Sequence, residues 1–348
     1  MEKRPLGRTG IDVTSLCLGT MMYGEQIGEE LAFQQMDASL DFGINFFDTA
    51  EMYTIPPKEE TQGESERIVG RWMKARGARE KIVLATKVMG QSGFDYMRPW
   101  DGIPRLKRKD IEFAVDRSLK NLQTDFIDLY QTHWPDRRVP TFGRDLKGYY
   151  HYEEEFDAIL ETLEVMADLK KAGKIRAFGV SNETAYGVMR HVKESETRDL
   201  PRVASIQNAY SLLNRTFEIG LAEVAMQEDV GLLAYSALAQ GELSGKYLDD
   251  ETPKGSRRDW FGKADRYQTP GKEKALRGYM KVAKDFGLDP SAMAFQFVTT
   301  RPWVTSNIFG ANGMDQLQTV FDSLSIEWTD ELNDAVNAVH VSQPNPCP

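Results

Sequence analysis

Four residues stand apart by type and by position. Asp48 and Tyr53 lie in the stretch Phe46-Phe47-Asp48-Thr49-Ala50-Glu51-Met52-Tyr53, Lys87 ends Ala85-Thr86-Lys87, and His133 falls in Tyr130-Gln131-Thr132-His133-Trp134. Each follows a short apolar run. Carboxylate, phenol, ammonium and imidazole are groups that move protons at a reacting oxygen, and a lysine also opens Schiff-base chemistry. Taken singly, each has an ordinary explanation: Asp48 as a cap or turn residue, Tyr53 as a rim aromatic, Lys87 as a solvated strand-end charge, His133 as a polar residue satisfied in a turn. A shared reaction therefore depends on elements that would bring the four together.

The apolar runs at 16–18, 44–47, 82–85, 126–130, 175–180, 203–206, 231–235 and 304–309 are continuous rather than alternating. That pattern predicts strands covered on both faces, as in a parallel sheet. Before them, Leu-Gly-Arg-Thr-Gly-Ile-Asp-Val at 6–13 predicts a small hairpin around Thr9-Gly10. Between them, Phe156, Ile159, Leu160, Leu163, Met166 and Leu169 share one helical face, with Gly173 just beyond as a C-cap. Ile111, Ala114, Val115, Leu119 and Leu122 repeat the pattern. Eight strands alternating with helices predict an α/β fold of the (β/α)8 TIM-barrel type, read as a single domain over 1–348. None of the 28 glycines has another two positions away, so the G-x-G of a Rossmann domain is absent, and so is a Walker A loop. Long irregular stretches at 89–107, 134–152 and 241–272 follow strands and would sit over the C-terminal mouth, where barrel active sites are built. Asp48, Tyr53, Lys87 and His133 all fall at that mouth.

Composition narrows the partners. With 43 basic against 53 acidic residues the net charge is −10, a field that repels nucleic-acid phosphates. No run approaches the roughly 18 apolar residues of a membrane span, and the N-terminus has no apolar segment of signal type, so a cytoplasmic location is expected. Cys17 and Cys347 form no CxxC, and His133, His151, His191 and His340 are scattered, so no metal is expected.

Motifs along the whole chain carry a resemblance. LGRTG, CLGTM, FDTAEMY, ATK, QTHWP, GKIRAFGVSN, IQNAYSLLNR, LLAYSALAQGELSGKY and GANGMDQL together resemble the aldo-keto reductase family. HWP with SLLNR, and ETQGESE, is most similar to its bacterial Tas-like branch. The resemblance implies a (β/α)8 barrel, a nicotinamide cofactor bound in extended form, and reduction of a small-molecule aldehyde or ketone. It makes Tyr53 the proton donor, with Lys87 and Asp48 beside it and His133 facing the substrate carbonyl. A phenol with a pKa of about 10 is a poor acid unless a nearby cation stabilises the phenolate, and a buried ammonium needs a counter-charge. Lys87 and Asp48 suit those needs, and His133 can donate a hydrogen bond to the carbonyl oxygen.

By the same resemblance Ser181, Asn182 and Gln207 hold the carboxamide and Tyr235 stacks on the nicotinamide ring, although 181–184 also read as a helix cap and Tyr235 as barrel core. Gly19, Thr20 and Met21, with Asp48, line the inner end. Ser236, Leu238, Gln240, Gly241, Leu243 and Ser244 form the pyrophosphate loop, and Gly310, Ala311 and Asn312 precede a helix whose free N–H groups attract anions. Lys246, Arg257 and Asn312, with Arg258 and Gln316 nearby, are expected at an adenosine 2′-phosphate, which favours NADPH over NADH. A solvated basic patch is the other reading of Lys246, Arg257 and Arg258. Where many relatives carry Glu-Asn for the adenine, this chain has Thr319-Val320.

Tyr23, Trp134, Tyr149 and Trp260, with Met97, Trp100 and Tyr150, are expected to shape an aromatic substrate pocket, or else to anchor loops. Arg98, Arg105, Arg137, Arg138 and Arg144 keep charged substrates open. Two other functions compete. A regulatory nicotinamide-binding subunit resembling the potassium-channel β subunits would usually carry Asn in place of His133. A barrel lyase or isomerase would use Lys87 as a Schiff-base nucleophile. The tail at 343–348, with three prolines, is left open between disorder and packing over the barrel.

Overall fold

The computed structural model describes residues 1–100, 102–140, 148–151, 153 and 158–348. Phe156, Arg144 and the end of the 134–152 stretch at Tyr152 lie outside the described residues. Strands β1 (Lys3–Pro5) and β2 (Asp12–Thr14) pair antiparallel, closed by Leu6 N donating to Ile11 O at 2.8 Å. This hairpin stops the inner end of the barrel. Leu6, Ile11 and Val13 pack on Cys17, Phe46, Val83, Ala85, Leu129, Ala177, Ala204 and Leu233, which come from seven of the barrel strands, and Ile308 of the eighth packs against them. The approach is close enough to require glycine at 7, where φ is +54° and a Cβ would meet Ala204 O at 2.5 Å.

Strands β3 (Leu16–Gly19), β4 (Phe46–Asp48), β5 (Val83–Val88), β6 (Ile127–Thr132), β7 (Ile175–Ser181), β8 (Val203–Ala209), β9 (Gly231–Tyr235) and β10 (Val304–Phe309) run parallel and in order, and β10 closes on β3. All eight expected strands are present. Most of their residues are buried, because the helices cover the outer face and the hairpin fills the floor. Register then sets the height of the site: Gly19 lies beside Asp48, Lys87 beside Gln131, and Ser181 beside Gln207.

Helices α1 (Glu29–Asp41), α2 (Glu64–Arg76), α3 (Arg108–Leu122), α4 (Ala158–Lys171), α5 (Ala185–Arg198) and α6 (Leu221–Gln227) follow the first six barrel strands. In α4 the buried residues Ile159, Leu163, Met166 and Leu169 keep the spacing seen in the sequence. At Gly70 the α2 and α3 backbones touch so closely that a Cβ would meet Asn121 O at 2.4 Å. Between β9 and β10 the chain makes α7 (Arg257–Phe261), α8 (Lys272–Asp285) and α9 (Pro290–Thr299); α10 (Met314–Ser323) and α11 (Asp330–Ser342) complete the layer. The tail packs back on the barrel: Cys347 N donates to Leu213 O at 3.0 Å, and Arg215 N to Asn345 Oδ1 at 2.6 Å. Among the described residues no helix is long and apolar enough to cross a membrane.

Candidate active site

Asp48 ends β4, and the chain turns so that Tyr53 returns over the mouth, with Tyr53 N donating to Ala50 O at 3.0 Å. Lys87, fully buried on β5, points its ammonium at three acceptors. These are Asp48 Oδ1, Thr49 O at 2.8 Å and Tyr53 Oη at 3.4 Å. The second carboxylate oxygen of Asp48 accepts from Gln131 Nε2 at 3.1 Å and Gln207 Nε2 at 3.0 Å, which fixes the counter-charge from two further strands. Burial works against the Lys87 charge, but Asp48 and Tyr53 override it and raise the ammonium pKa. For Tyr53, burial, helped by Asp48, outweighs the Lys87 charge and holds the phenol above its ordinary value. Lysine stays charged and tyrosine stays protonated.

His133 follows β6, its ring edge-on to Tyr53 at 5.5 Å between centroids. Burial, with Lys87 as a second cause, pushes its pKa well below the usual imidazole value, so the ring is neutral and carries one N–H. Its Nδ1 is buried without a partner. Behind it, Asn182 Nδ2 donates to His133 O at 2.8 Å, while Asn182 Oδ1 accepts from the Tyr235 hydroxyl at 2.6 Å. Ser181 Oγ donates to Gln207 O at 2.7 Å.

Except for Lys87 and Gln131, which are fully buried off the lining, these side chains open into one cavity of about 1400 Å³. Gly19, Met21, Asp48, Tyr53, His133, Trp134, Ser181, Asn182, Gln207, Tyr235, Ser236, Leu238, Gln240, Gly241, Lys246, Arg257, Gly310, Asn312 and Gln316 line it. Most of the expected residues therefore converge. Thr20 does not line it: its hydroxyl is buried behind the wall, against Asp48 O and Ser65 Oγ. Leu243 is core, and Ser244 Oγ is turned back to Gly241 O. Arg258 is buried and paired with Glu242 at 2.9 Å. Val320 is core and Thr319 Oγ1 donates to Asp315 O, so neither side chain faces the cavity.

The pocket aromatics need correction. Tyr23 is 1% exposed and packs into the barrel–helix core rather than the cavity, because it follows Met21 and Met22, which take the wall positions. Tyr149 and Trp260 are solvent-exposed and away from the cavity, and Tyr149 Oη pairs with His151. Met52, Ile55, Phe94, Trp134 and Val139 form the apolar wall instead. Three of the loop arginines are already engaged: Arg98 with Glu51 and Asp110, Arg105 with Asp136, Arg137 with Glu183. Arg137, Arg138 and, unforeseen, Arg266 line the cavity. The only trace of Arg266 in the sequence was its place in the long 241–272 stretch. Among the described residues no group of three His, Cys, Asp or Glu side chains is arranged to hold a metal ion.

A closed parallel barrel with an Asp-Tyr-Lys-His cluster and a cavity at its C-terminal mouth is the architecture of a barrel oxidoreductase. The chain belongs to the aldo/keto reductase family, whose model matches residues 15–340. It is 45% identical to "Protein tas" of Escherichia coli over the full length of both chains. It is 34% identical to the "Uncharacterized oxidoreductase YrpG" of Bacillus subtilis, over 97% of this chain and 96% of that one. It is also 28% identical, over 95% of each chain, to the "NADH-specific methylglyoxal reductase" of E. coli.

Proposed function

We propose that residues 1–348 form one reductase unit, working in the cytoplasm, that uses NADPH to reduce an aldehyde or ketone to the alcohol with Tyr53 as general acid. The observation that carries this reading is the Tyr53–Lys87–Asp48 chain, in which a protonated phenol lies 3.4 Å from a charge-compensated ammonium at the cavity wall.

The cavity suits a phosphorylated nicotinamide dinucleotide. Its donors include amides and hydroxyls from Ser181, Asn182 and Gln207 and the cations Lys246 and Arg257. Neither cation is salt-bridged among the described residues: Lys246 lies over the Tyr247 ring and Arg257 over the Phe261 ring. Burial lowers the Arg257 pKa, offset only by Tyr267 and Tyr247, so an incoming phosphate would supply the counter-charge that its surroundings lack. One relative is named for NADH specificity, and these two side chains are the residues expected to set the choice in this chain. When bound, the nicotinamide supplies hydride to the carbonyl carbon.

The chain's own residues do the rest. His133, neutral, can donate one N–H to the carbonyl oxygen and orient it. Tyr53 gives that oxygen its proton. The phenolate left behind meets the Lys87 ammonium at 3.4 Å, an attraction of about 5 kcal/mol at an effective dielectric of 20. Asp48, held by Gln131 and Gln207, keeps that ammonium in place. Met52, Ile55, Phe94 and Trp134 keep water from the reacting oxygen.

Tyr53→Phe tests the reading. Absorbance at 340 nm should show carbonyl reduction falling by about 100-fold or more, the usual weight of a general acid, while fluorescence titration gives an NADPH Kd within about twofold of the parent. Near-normal turnover in the variant would remove Tyr53 from the mechanism.

A further inference from the structure

Arg266 belongs to no part of the machinery described so far. It lies in the segment between α7 and α8, lines the cavity, and has a buried Nε with no hydrogen-bond partner. It shares that cavity with Tyr235, whose phenol burial pushes up in pKa and the Arg266 charge pulls back. That hydroxyl is bonded to Asn182, and Asn182 to His133 O. Arg266 thus lines the same cavity as Tyr235 and His133, the residue facing the carbonyl. No salt bridge to it occurs among the described residues, in contrast to Arg98, Arg105 and Arg137.

The segment is braced rather than loose. Tyr267 is buried, Thr269 Oγ1 meets Cys347 Sγ at 3.4 Å, and Cys347 N is tied to Leu213 O. A guanidinium held in place with an unmet buried donor is preorganised for a planar anion, because it offers paired N–H groups to a carboxylate. The facing wall of Met52, Ile55, Phe94 and Trp134 fits an apolar body.

We propose that Arg266 is a specificity residue for carbonyl substrates that carry a carboxylate, binding that carboxylate while His133 and Tyr53 meet the carbonyl oxygen. The inference rests on the reductase reading above and names its substrate class. It is separate from the cofactor's phosphates, which Lys246 and Arg257 serve.

The test compares 4-formylbenzoate with its neutral isostere 4-formylbenzamide, using full-length protein and NADPH. Wild type should favour the benzoate about tenfold or more in kcat/KM. Arg266→Met should lose about 10- to 100-fold on the benzoate, mainly through KM, and less than about threefold on the benzamide. Arg266→Lys should recover part of the loss. Calorimetry without cofactor should show terephthalate, but not its diamide, binding wild type more tightly than Arg266→Met. Equal losses on both aldehydes, or a tenfold weaker NADPH Kd in Arg266→Met with an unchanged substrate ratio, would overturn the proposal. Reduction of the benzamide by wild type without any preference for the benzoate would overturn it while sparing the reductase reading. Failure of wild type to oxidise NADPH with either aldehyde, or with a wider carbonyl panel, would sink both.

Discussion

Burial acts in opposite directions on the two groups that would meet the carbonyl oxygen. It holds the Tyr53 proton on and keeps a second proton off His133, so near neutrality both are uncharged donors. Lys87 opposes the first effect and reinforces the second, since its charge favours phenolate and disfavours imidazolium. A sign follows for the pH profile of reduction. Tyr53, with its pKa raised from the ordinary value of about 10, supplies its proton at all pH values below that, and the rate falls only as pH rises through it. An ordinary histidine would add a limb near pH 6.5; His133 should add none. Initial rates between about pH 6 and 9 are therefore expected to be flat in kcat/KM, and an inflection near 6.5 that vanishes in His133→Gln would show instead that His133 titrates there. The four residue types and their strand-end positions were legible in the sequence. The protonation states were not, because they depend on the depth of burial and on which oxygen of Asp48 faces Lys87.

At the scale of elements, the turn that carries Tyr53 is pinned by a charge network. Glu51, fully buried, accepts from Arg98 Nη1 and Nη2 at 2.9 Å each, from Arg117 Nη2 at 2.5 Å and from Met89 N at 2.9 Å. One carboxylate thereby joins the β4 turn, the 89–107 stretch and α3. The arginines outweigh burial and keep the Glu51 pKa below its ordinary value. In sequence Glu51 is merely a charged residue between two site residues, and Arg98 reads as a free cation of a long loop; only the return of that loop over the barrel makes them partners. Glu51→Gln removes the two-bonded counter-charge of the buried Arg98 and leaves it Asp110 at 3.2 Å, and the expected cost is about 3 kcal/mol, the low end for buried pairs broken on one side. Urea denaturation followed by circular dichroism measures it. A loss under 1 kcal/mol would mean that water or Asp110 takes over the guanidinium.

Over the whole molecule, continuous apolar runs were enough to identify eight strands, because every barrel strand is covered inside and out and alternation is lost. Periodicity could not place single aromatics: Tyr23 is core while the neighbouring Met21 and Met22 are wall, a difference set by the path of the chain after β3. The cavity that results takes its lining from Gly19 at the first barrel strand to Gln316 in α10, together with the 241–272 stretch. A ligand filling it would link parts of the chain far apart in sequence, and would stabilise the native state by mass action alone. At 100 times Kd that linkage is worth about 2.7 kcal/mol, and with the unfolding entropy typical of a chain this long it raises Tm by about 4 °C. Because the half-buried Arg257 and Lys246 have no salt-bridge partner among the described residues, NADPH should give this rise at concentrations where NADH gives little. Lys246→Ala with Arg257→Ala should lower the NADPH response to that of NADH and leave the NADH response as it was. Thermal melts across a titration of each cofactor decide the matter: equal shifts in the parent, or equal losses for both cofactors in the double variant, would remove these two side chains from 2′-phosphate recognition.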